Sequence, residues 1–155
     1  MKYTIFAFVI ILFVSCNTST DNVPFVERDY TEANEQEITK YLEDNNLIAE
    51  KSDTGLYYII DEPGTGAQPT ADDNVTVAYK GYFTNGTVFD ESSANGVSFG
   101  LRQVIQGWTE GIPYFKEGGS GTLLIPAHLG YGGRTIGPIP AGSVLLFDVK
   151  LISVN

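Results

Sequence analysis

The sequence has few of the residues on which most enzyme chemistry depends. It contains one histidine and one cysteine in 155 residues. A metal site at His128 would have only carboxylates as further ligands, whereas zinc sites in proteins usually combine several histidines or cysteines. A Ser-His-Asp arrangement would have to use the same histidine, which lies beside Pro126. We therefore predict no metal and no cofactor, and we expect His128 in a loop or on the surface.

Signals for phosphate binding and an excess of positive charge are also missing. The glycine-rich segments 64–66 and 118–121 lack the rest of a phosphate-binding fingerprint, including its lysine, and we interpret them as turns. Nine lysines and arginines stand against nineteen aspartates and glutamates, which gives a formal net charge of −10. The phosphate backbone of nucleic acids would repel such a chain, so the sequence predicts no nucleic-acid partner.

The N-terminus resembles a targeting signal. A lysine precedes an apolar run over residues 3–14, which is shorter than a membrane span and matches the apolar part of an export signal. The run ends at Ser15-Cys16, which is similar to the lipidation motif of bacterial lipoproteins, although Phe13 stands where an aliphatic residue is usual. Because the chain has no other cysteine, Cys16 has no partner for an intramolecular disulfide.

These features predict a signal peptide at 1–15 and lipidation at Cys16. Lipid chains would anchor the protein to a membrane of the cell envelope without spanning it, so that it faces the periplasm or the cell surface. The alternative is a plain secretory signal with an incidental cysteine.

The segment after the signal is polar and then helical in pattern. Residues 16–30 show no periodicity, and we interpret them as a tether. Within 31–54 we predict a short helix from about Thr31 to Asn45, and Asn34 followed by Glu37 resembles a capping arrangement at its start. A helix of this length is marginal alone, so we expect it to dock on the main domain or on a partner; a solvated spacer helix is the alternative. Its apolar face would carry Ile38, Tyr41 and Leu42.

From Gly55 onward the pattern is typical of strands separated by turns. Alternating apolar residues predict a strand at 74–83, and Asn85-Gly86 predicts a tight turn into a return strand. Residues 104–111 are predicted to form one or two helical turns around Trp108 that end before Pro113. Further strands are predicted at 56–60, 122–125 and 144–154, and a loop at 130–142.

The order of aromatic motifs in this second part is the most specific feature of the chain. The motifs are Tyr79-Lys80-Gly81, Phe89-Asp90, Val104-Ile105-Gln106-Gly107-Trp108, Leu129-Gly130-Tyr131-Gly132 and Leu145-Leu146-Phe147-Asp148-Val149. Over residues 55–155 they resemble the FK506-binding-protein family of peptidyl-prolyl cis-trans isomerases. The resemblance implies an α+β fold, in which a curved antiparallel sheet of five to six strands wraps around one short helix and is preceded by the short N-terminal helix.

The same resemblance implies a pocket between the helix and the sheet. Trp108 would be its floor, and the backbone N–H of Ile105 would bind a ligand carbonyl. Asp90 would be the one carboxylate inside, Tyr131 would reach a bound carbonyl with its hydroxyl, and Ile139 would close the loop side. The apolar walls would be Tyr79, Phe89, Val104, Ile105 and Phe147.

Some of these positions have competing structural interpretations. Phe99 belongs to the upper wall by resemblance, but we expect it in the core more than in the wall. Val97 stands where many members carry an aromatic residue, so we expect a smaller upper wall. Asp90 would otherwise cap a turn with Ser92 or Ser93, and Tyr131 would otherwise anchor its loop. Ordinary sheet packing is the alternative for Tyr79 and Phe147.

An apolar pocket can accelerate X–Pro isomerisation without a nucleophile. Rotation about this bond has a barrier of about 18–20 kcal/mol because of amide resonance. A dry pocket disfavours the charge-separated planar amide, and donors hold the twisted form, so that catalysis is differential binding of the transition state.

The sequence therefore predicts a peptidyl-prolyl isomerase that acts on proline-containing segments of exported proteins during folding. Macrolides of the FK506 type are a further predicted ligand. The alternative is a membrane-anchored chaperone or adaptor that binds such segments with little turnover and recruits a partner through the N-terminal helix. Under the enzyme hypothesis, removal of residues 17–50 is expected to leave catalysis intact.

Overall fold

The structure is a computed structural model that describes residues 29–155. The predicted signal peptide, the predicted lipidation site Cys16 and nearly all of the predicted tether lie outside the described residues. Within the described part of the chain, no helix is long and apolar enough to cross a membrane. The same part contains no group of three or more side chains that could hold a metal ion.

One antiparallel sheet organises the described residues. The strands are β1 (Glu50–Lys51), β2 (Tyr57–Glu62), β3 (Asn74–Tyr82), β4 (Val88–Glu91), β5 (Val97–Gly100), β6 (Ser120–Ile125) and β7 (Leu145–Val154); the helices are α1 (Thr31–Asp44) and α2 (Gln106–Gly111). The strands pair in the order β1-β2-β6-β7-β3-β4, and β5 pairs with the N-terminal half of β3. The predicted α+β fold is confirmed, with seven strands in this part of the chain because the two-residue β1 extends one edge.

The turn between β3 and β4 follows the chemistry predicted from Asn85-Gly86. The backbone of Gly86 has a φ of +83°, a left-handed conformation that glycine adopts without a steric penalty. The side chain of Asn85 accepts a hydrogen bond from the Thr87 N–H at 2.9 Å. This turn brings the end of β3 and the start of β4 together beside the aromatic cluster described below.

One face of the sheet, here called the inner face, packs against α2. Its buried residues include Leu123 and Ile125 on β6. The helix can lie close to β6 because Gly107 has no side chain. A Cβ at this position would come within 2.6 Å of Ile125 Cγ2. The predicted helical turns around Trp108 are confirmed, and Pro113 follows in a 3-10 turn over Ile112–Tyr114.

The opposite face, here called the outer face, packs against α1. Directly paired residues form a row across four strands of this face: Tyr57, Leu124, Leu146 and Tyr82. Ile38 and Leu42 of α1 are buried in the same cluster. The helix therefore docks on the domain that follows it, which was one of the two predicted arrangements, and it is not a solvated spacer.

The cap predicted at the start of α1 is wrong. The helix begins after Tyr30, whose side chain makes no capping hydrogen bond, and the Thr31 N–H donates to Asp29 Oδ1 at 2.9 Å. Asn34 is instead turned toward the domain, with 2% of its surface exposed. Glu37 accepts a hydrogen bond from Thr84 Oγ1 at 2.6 Å. A polar residue early in a helix gives the same sequence pattern whether it caps the helix or faces the domain.

Candidate active site

Trp108 on α2 lies at the centre of an aromatic cluster on the inner face. Its ring centroid is 5.1 Å from those of Tyr79 and Phe147, each at an interplanar angle of 85°. The Phe99 ring lies at 5.2 Å and is tilted by 55°. Edge-to-face contacts at these distances are favourable for aromatic rings. Only 4% of the Trp108 surface is exposed, so the cluster holds the indole in one orientation.

An open cleft of about 770 Å³ lies against this cluster. Its volume is in the range of sites that bind small ligands. β3, β4, β5, β7, α2 and the loop at 130–142 each contribute to its wall. The structure brings together ten of the predicted pocket residues here: Tyr79, Phe89, Asp90, Phe99, Val104, Ile105, Trp108, Tyr131, Ile139 and Phe147.

Val97 is the predicted pocket residue that the structure places elsewhere. It pairs with Val77 at the start of β5, is 46% exposed, and does not line the cleft. The upper wall is formed by Phe99, two residues further along the same strand. Phe99 both packs on Trp108 and lines the cleft, so its core and wall roles coincide.

Asp90 is paired with a tyrosine at the edge of the cleft. The Tyr79 hydroxyl donates a hydrogen bond to Asp90 Oδ2 at 2.7 Å. Burial, and after it this hydrogen bond, raises the pKa of Tyr79 to about 12. The hydroxyl is therefore a protonated donor at neutral pH. Ser92, one of the two proposed turn partners of Asp90, bonds instead to the Tyr79 backbone N–H and to the Ser93 carbonyl.

Two backbone features fit the predicted ligand contacts. Ile105 is the residue before α2 and has an extended backbone, with φ −61° and ψ 150°. The N–H of such a residue lies outside the helical hydrogen-bond series, so it is available to another acceptor. Tyr131 and Ile139 come from the loop at 130–142, which forms part of the cleft wall.

Several residues of the site were not predicted from the sequence. A Cβ at Gly81 would lie 2.6 Å from Phe89 Cε2 and 2.8 Å from Phe147 Cε1, so only glycine lets these two rings meet. The signal was present, because Gly81 is two residues after Tyr79 and therefore on the same face of β3. Gly81 itself does not line the cleft; the unpredicted residues that do are Gln103, Gln106, Gly130, Arg134, Ile136, Gly137 and Pro138.

The fold and the cleft define a class of domain in which an antiparallel sheet packs a short helix beside an aromatic cleft. Residues 65–152 match the family of FKBP-type peptidyl-prolyl cis-trans isomerases. This segment is more than half of the chain, and the chain belongs to that family.

Individual relatives agree with this assignment. The chain is 51% identical over 108 residues to the probable FKBP-type peptidyl-prolyl cis-trans isomerase FkpA of Neisseria meningitidis serogroup B; the match covers 66% of this chain and 39% of that protein. It is 43% identical over 105 residues to the outer membrane protein MIP of Legionella longbeachae, with 66% and 45% covered. The crystal structure of FkpA from Escherichia coli superimposes with a TM-score of 0.72 at 40% identity, over 81% of this chain and 61% of that chain. The chain matches less than half the length of the first two proteins.

Proposed function

We propose that this chain is a peptidyl-prolyl cis-trans isomerase that acts on X–Pro bonds of exported proteins. The observation that carries the proposal is the cleft beside Trp108, where ten of the predicted pocket residues, six of them aromatic, lie together. Membership of the FKBP-type family supports it.

In this proposal the proline ring stacks on Trp108 between the aromatic walls. The cleft excludes water from one side of the X–Pro amide, which disfavours the planar, charge-separated form. The Tyr131 hydroxyl and the Ile105 N–H bind the carbonyls on either side of the bond and hold the twisted geometry. Because each tenfold gain in rate needs about 1.4 kcal/mol of transition-state stabilisation, one or two such hydrogen bonds are enough for useful acceleration.

A measurement of X–Pro exchange tests the proposal. We expect the full chain to raise the cis-trans exchange rate of a short X–Pro peptide, measured by NMR or by a protease-coupled assay. Phe147→Ala, which removes a cleft wall, should abolish most of this activity. Val97→Ala, at an exposed position outside the cleft, is the matched control and should retain it. A wild-type rate equal to the uncatalysed rate would overturn the proposal.

A binding module with little turnover is the second candidate and is distinguished by the same experiment. It would bind the peptide tightly, seen as a change in the fluorescence of Trp108, the chain's one tryptophan, without accelerating exchange. Recruitment of a partner through the apolar face of α1 is disfavoured, because Ile38 and Leu42 on that face are buried against the chain's own sheet. A macrolide of the FK506 type should compete with the peptide under either function.

We also propose export and lipidation at Cys16, with the domain in the cell envelope. The apolar run at 3–14 that leads to Ser15-Cys16 supports this, as does the relative named an outer membrane protein. Incorporation of labelled palmitate during expression in a bacterial host tests it, with Cys16→Ser as the control. We expect label and membrane fractionation for the wild type and neither for the variant. Equal labelling of both proteins, or of neither, would refute lipidation at Cys16.

A further inference from the structure

The helix α1 makes a polar contact with the loop that closes the cleft. Asn34 Nδ2 donates to the Gly142 carbonyl at 2.9 Å, and Asn34 Oδ1 accepts from the Ala127 N–H at 2.8 Å. Along the chain, Ala127 precedes and Gly142 follows the loop segment that carries Tyr131 and Ile139. One side chain of α1 therefore holds both ends of this segment.

The contact is part of a closed ring of four hydrogen bonds. The Ala127 carbonyl accepts from the Gly132 N–H at 2.7 Å, and the Gly132 carbonyl accepts from the Gly142 N–H at 2.8 Å. Asn34 joins the two remaining ends, Gly142 and Ala127, and so completes the ring. Without Asn34 the loop base has an open chain of hydrogen bonds instead of a closed one.

The ring is partly buried: Asn34 and Ala127 are buried, and Gly132 and Gly142 are half-buried. Asn34 is a polar residue with only 2% of its surface exposed. The ring of Tyr30 covers Gly142 so closely that a Cβ at this glycine would overlap it. Loss of the amide would leave the buried Ala127 N–H and the Gly142 carbonyl without these partners, which is unfavourable.

The apolar residues of α1 contact the sheet, whereas Asn34 contacts the base of the loop. Ile38 and Leu42 belong to one buried cluster with four residues that do not line the cleft: Tyr57, Leu124, Val144 and Leu146. Ile38 and Leu42 therefore dock the helix on the sheet, and Asn34 links the helix to the loop.

We propose that Asn34 is a positioning residue of the cleft, through which α1 fixes the loop that carries Tyr131 and Ile139. The kinetic consequence rests on the proposed isomerase function; the structural consequence does not. The N-terminal helix then tunes how tightly a proline-containing segment is held, although none of its residues lines the cleft.

A comparison of two substitutions on the same helix tests the proposal in the full chain. Asn34→Leu removes both hydrogen bonds to the loop. Ile38→Val removes one methylene from the docking face and leaves the ring intact. We expect Asn34→Leu to lower kcat/KM for an X–Pro peptide about tenfold, since small displacements of groups that position a substrate change rates by up to two orders of magnitude. The loss should appear mainly as a higher KM, because the loop binds the peptide in the ground state as well.

Amide hydrogen exchange gives a second readout that does not need activity. The Gly132 and Gly142 amides belong to the ring and should exchange faster in Asn34→Leu than in Ile38→Val, after correction for global stability. Asn34→Ala removes the same two hydrogen bonds and introduces neither a charge nor extra volume at this buried position. It should give the same faster exchange, and it takes the place of Asn34→Leu if the latter does not fold.

The outcomes separate this proposal from the proposed function. Equal KM values and equal exchange of the two glycine amides in the Asn34 and Ile38 variants would overturn the positioning role, since Asn34 would then act through stability alone. A wild type without isomerase activity would refute the proposed function, and the exchange data would still decide whether Asn34 holds the loop.

Discussion

The two faces of the sheet use neighbouring residues of one strand for different purposes. Leu146 on the outer face packs against α1, and Phe147 on the inner face packs against Trp108 and lines the cleft. Both side chains are almost fully buried, so burial does not distinguish a structural residue from a site residue. The covering helices do differ: α1 has 14 residues and α2 has six. The shorter helix leaves part of the inner face uncovered, and the cleft lies there.

The same contrast appears in two tyrosines of β3. Tyr79 on the inner face donates to Asp90 at the cleft, and Tyr82 on the outer face donates to Asp148 at 2.8 Å. The local chemistry of the two pairs is alike, and burial raises the pKa of each tyrosine before the carboxylate adds to the shift. Of the two pairs, only Tyr79 and Asp90 line the cleft. Position on the sheet therefore decides which pair can contact a ligand there.

The largest expected effect is at the centre of the inner face. Trp108→Ala should lower the free energy of unfolding by about 3–5 kcal/mol, as large aromatic truncations in a core do, and should abolish peptide binding. Urea denaturation followed by circular dichroism measures the first effect, and isothermal titration with an X–Pro peptide measures the second. An unchanged unfolding midpoint would show that Trp108 is not the packed floor of the cleft.

A truncation on the outer face should separate stability from function. Leu146→Ala should lower the free energy of unfolding by about 2–5 kcal/mol, because it removes a fully buried side chain beneath α1. The kcat/KM of the folded fraction should nevertheless stay near the wild-type value, since Leu146 does not line the cleft and the Asn34 contact remains. A loss of kcat/KM as large as that of Phe147→Ala would mean that the two faces are not independent.

Much of the inner face could be predicted from the sequence, because its signal is local and periodic. Tyr79, Trp108 and Phe147 each lie in a short motif whose order is specific, and alternation along β3 assigns the inward side. Val97 was assigned to the upper wall by the resemblance alone, whereas in the structure it is 46% exposed at the start of β5 and does not line the cleft. Gly81 was missed as a site residue because the contact it permits exists only when β3, β4 and β7 are assembled.

The outer face was harder to predict, because its partners are far apart in the chain. Leu146 lies in a continuous apolar run, where alternation gives no information on a second core. Asn34 bonds to residues about a hundred positions away and matched a local capping pattern instead. The structure also changes the expectation for removal of residues 17–50. This deletion would uncover the outer face and open the ring at the loop base, so we expect it to impair both stability and catalysis.

A smaller effect is expected for a single hydroxyl at the cleft. Tyr131→Phe keeps the ring and removes the donor, so it should lower kcat/KM by roughly two- to tenfold, the equivalent of one hydrogen bond of about 0.5–1.5 kcal/mol. The unfolding midpoint should not change, because the ring still packs in the loop. Tyr41→Phe on α1 is a matched control outside the cleft and should keep full activity. Wild-type turnover in Tyr131→Phe would leave Tyr131 as a loop anchor, without a role in binding.

The smallest effect at neutral pH is expected for the tyrosine pair of β3, and alkaline pH makes it visible. The pKa of a free tyrosine is about 10, and that of Tyr79 in the folded chain is about 12. A pKa that is higher in the folded state contributes stability that is complete below pH 10 and is lost as the pH rises through 12. Tyr79→Phe and Tyr82→Phe should therefore each reduce the alkaline loss of stability, measured by urea denaturation between pH 9 and 12. At pH 7 only Tyr79→Phe should weaken peptide binding, because only its hydroxyl orders a carboxylate beside the cleft. If Tyr82→Phe weakened binding equally, the distinction between the inner and outer pairs would have to be abandoned.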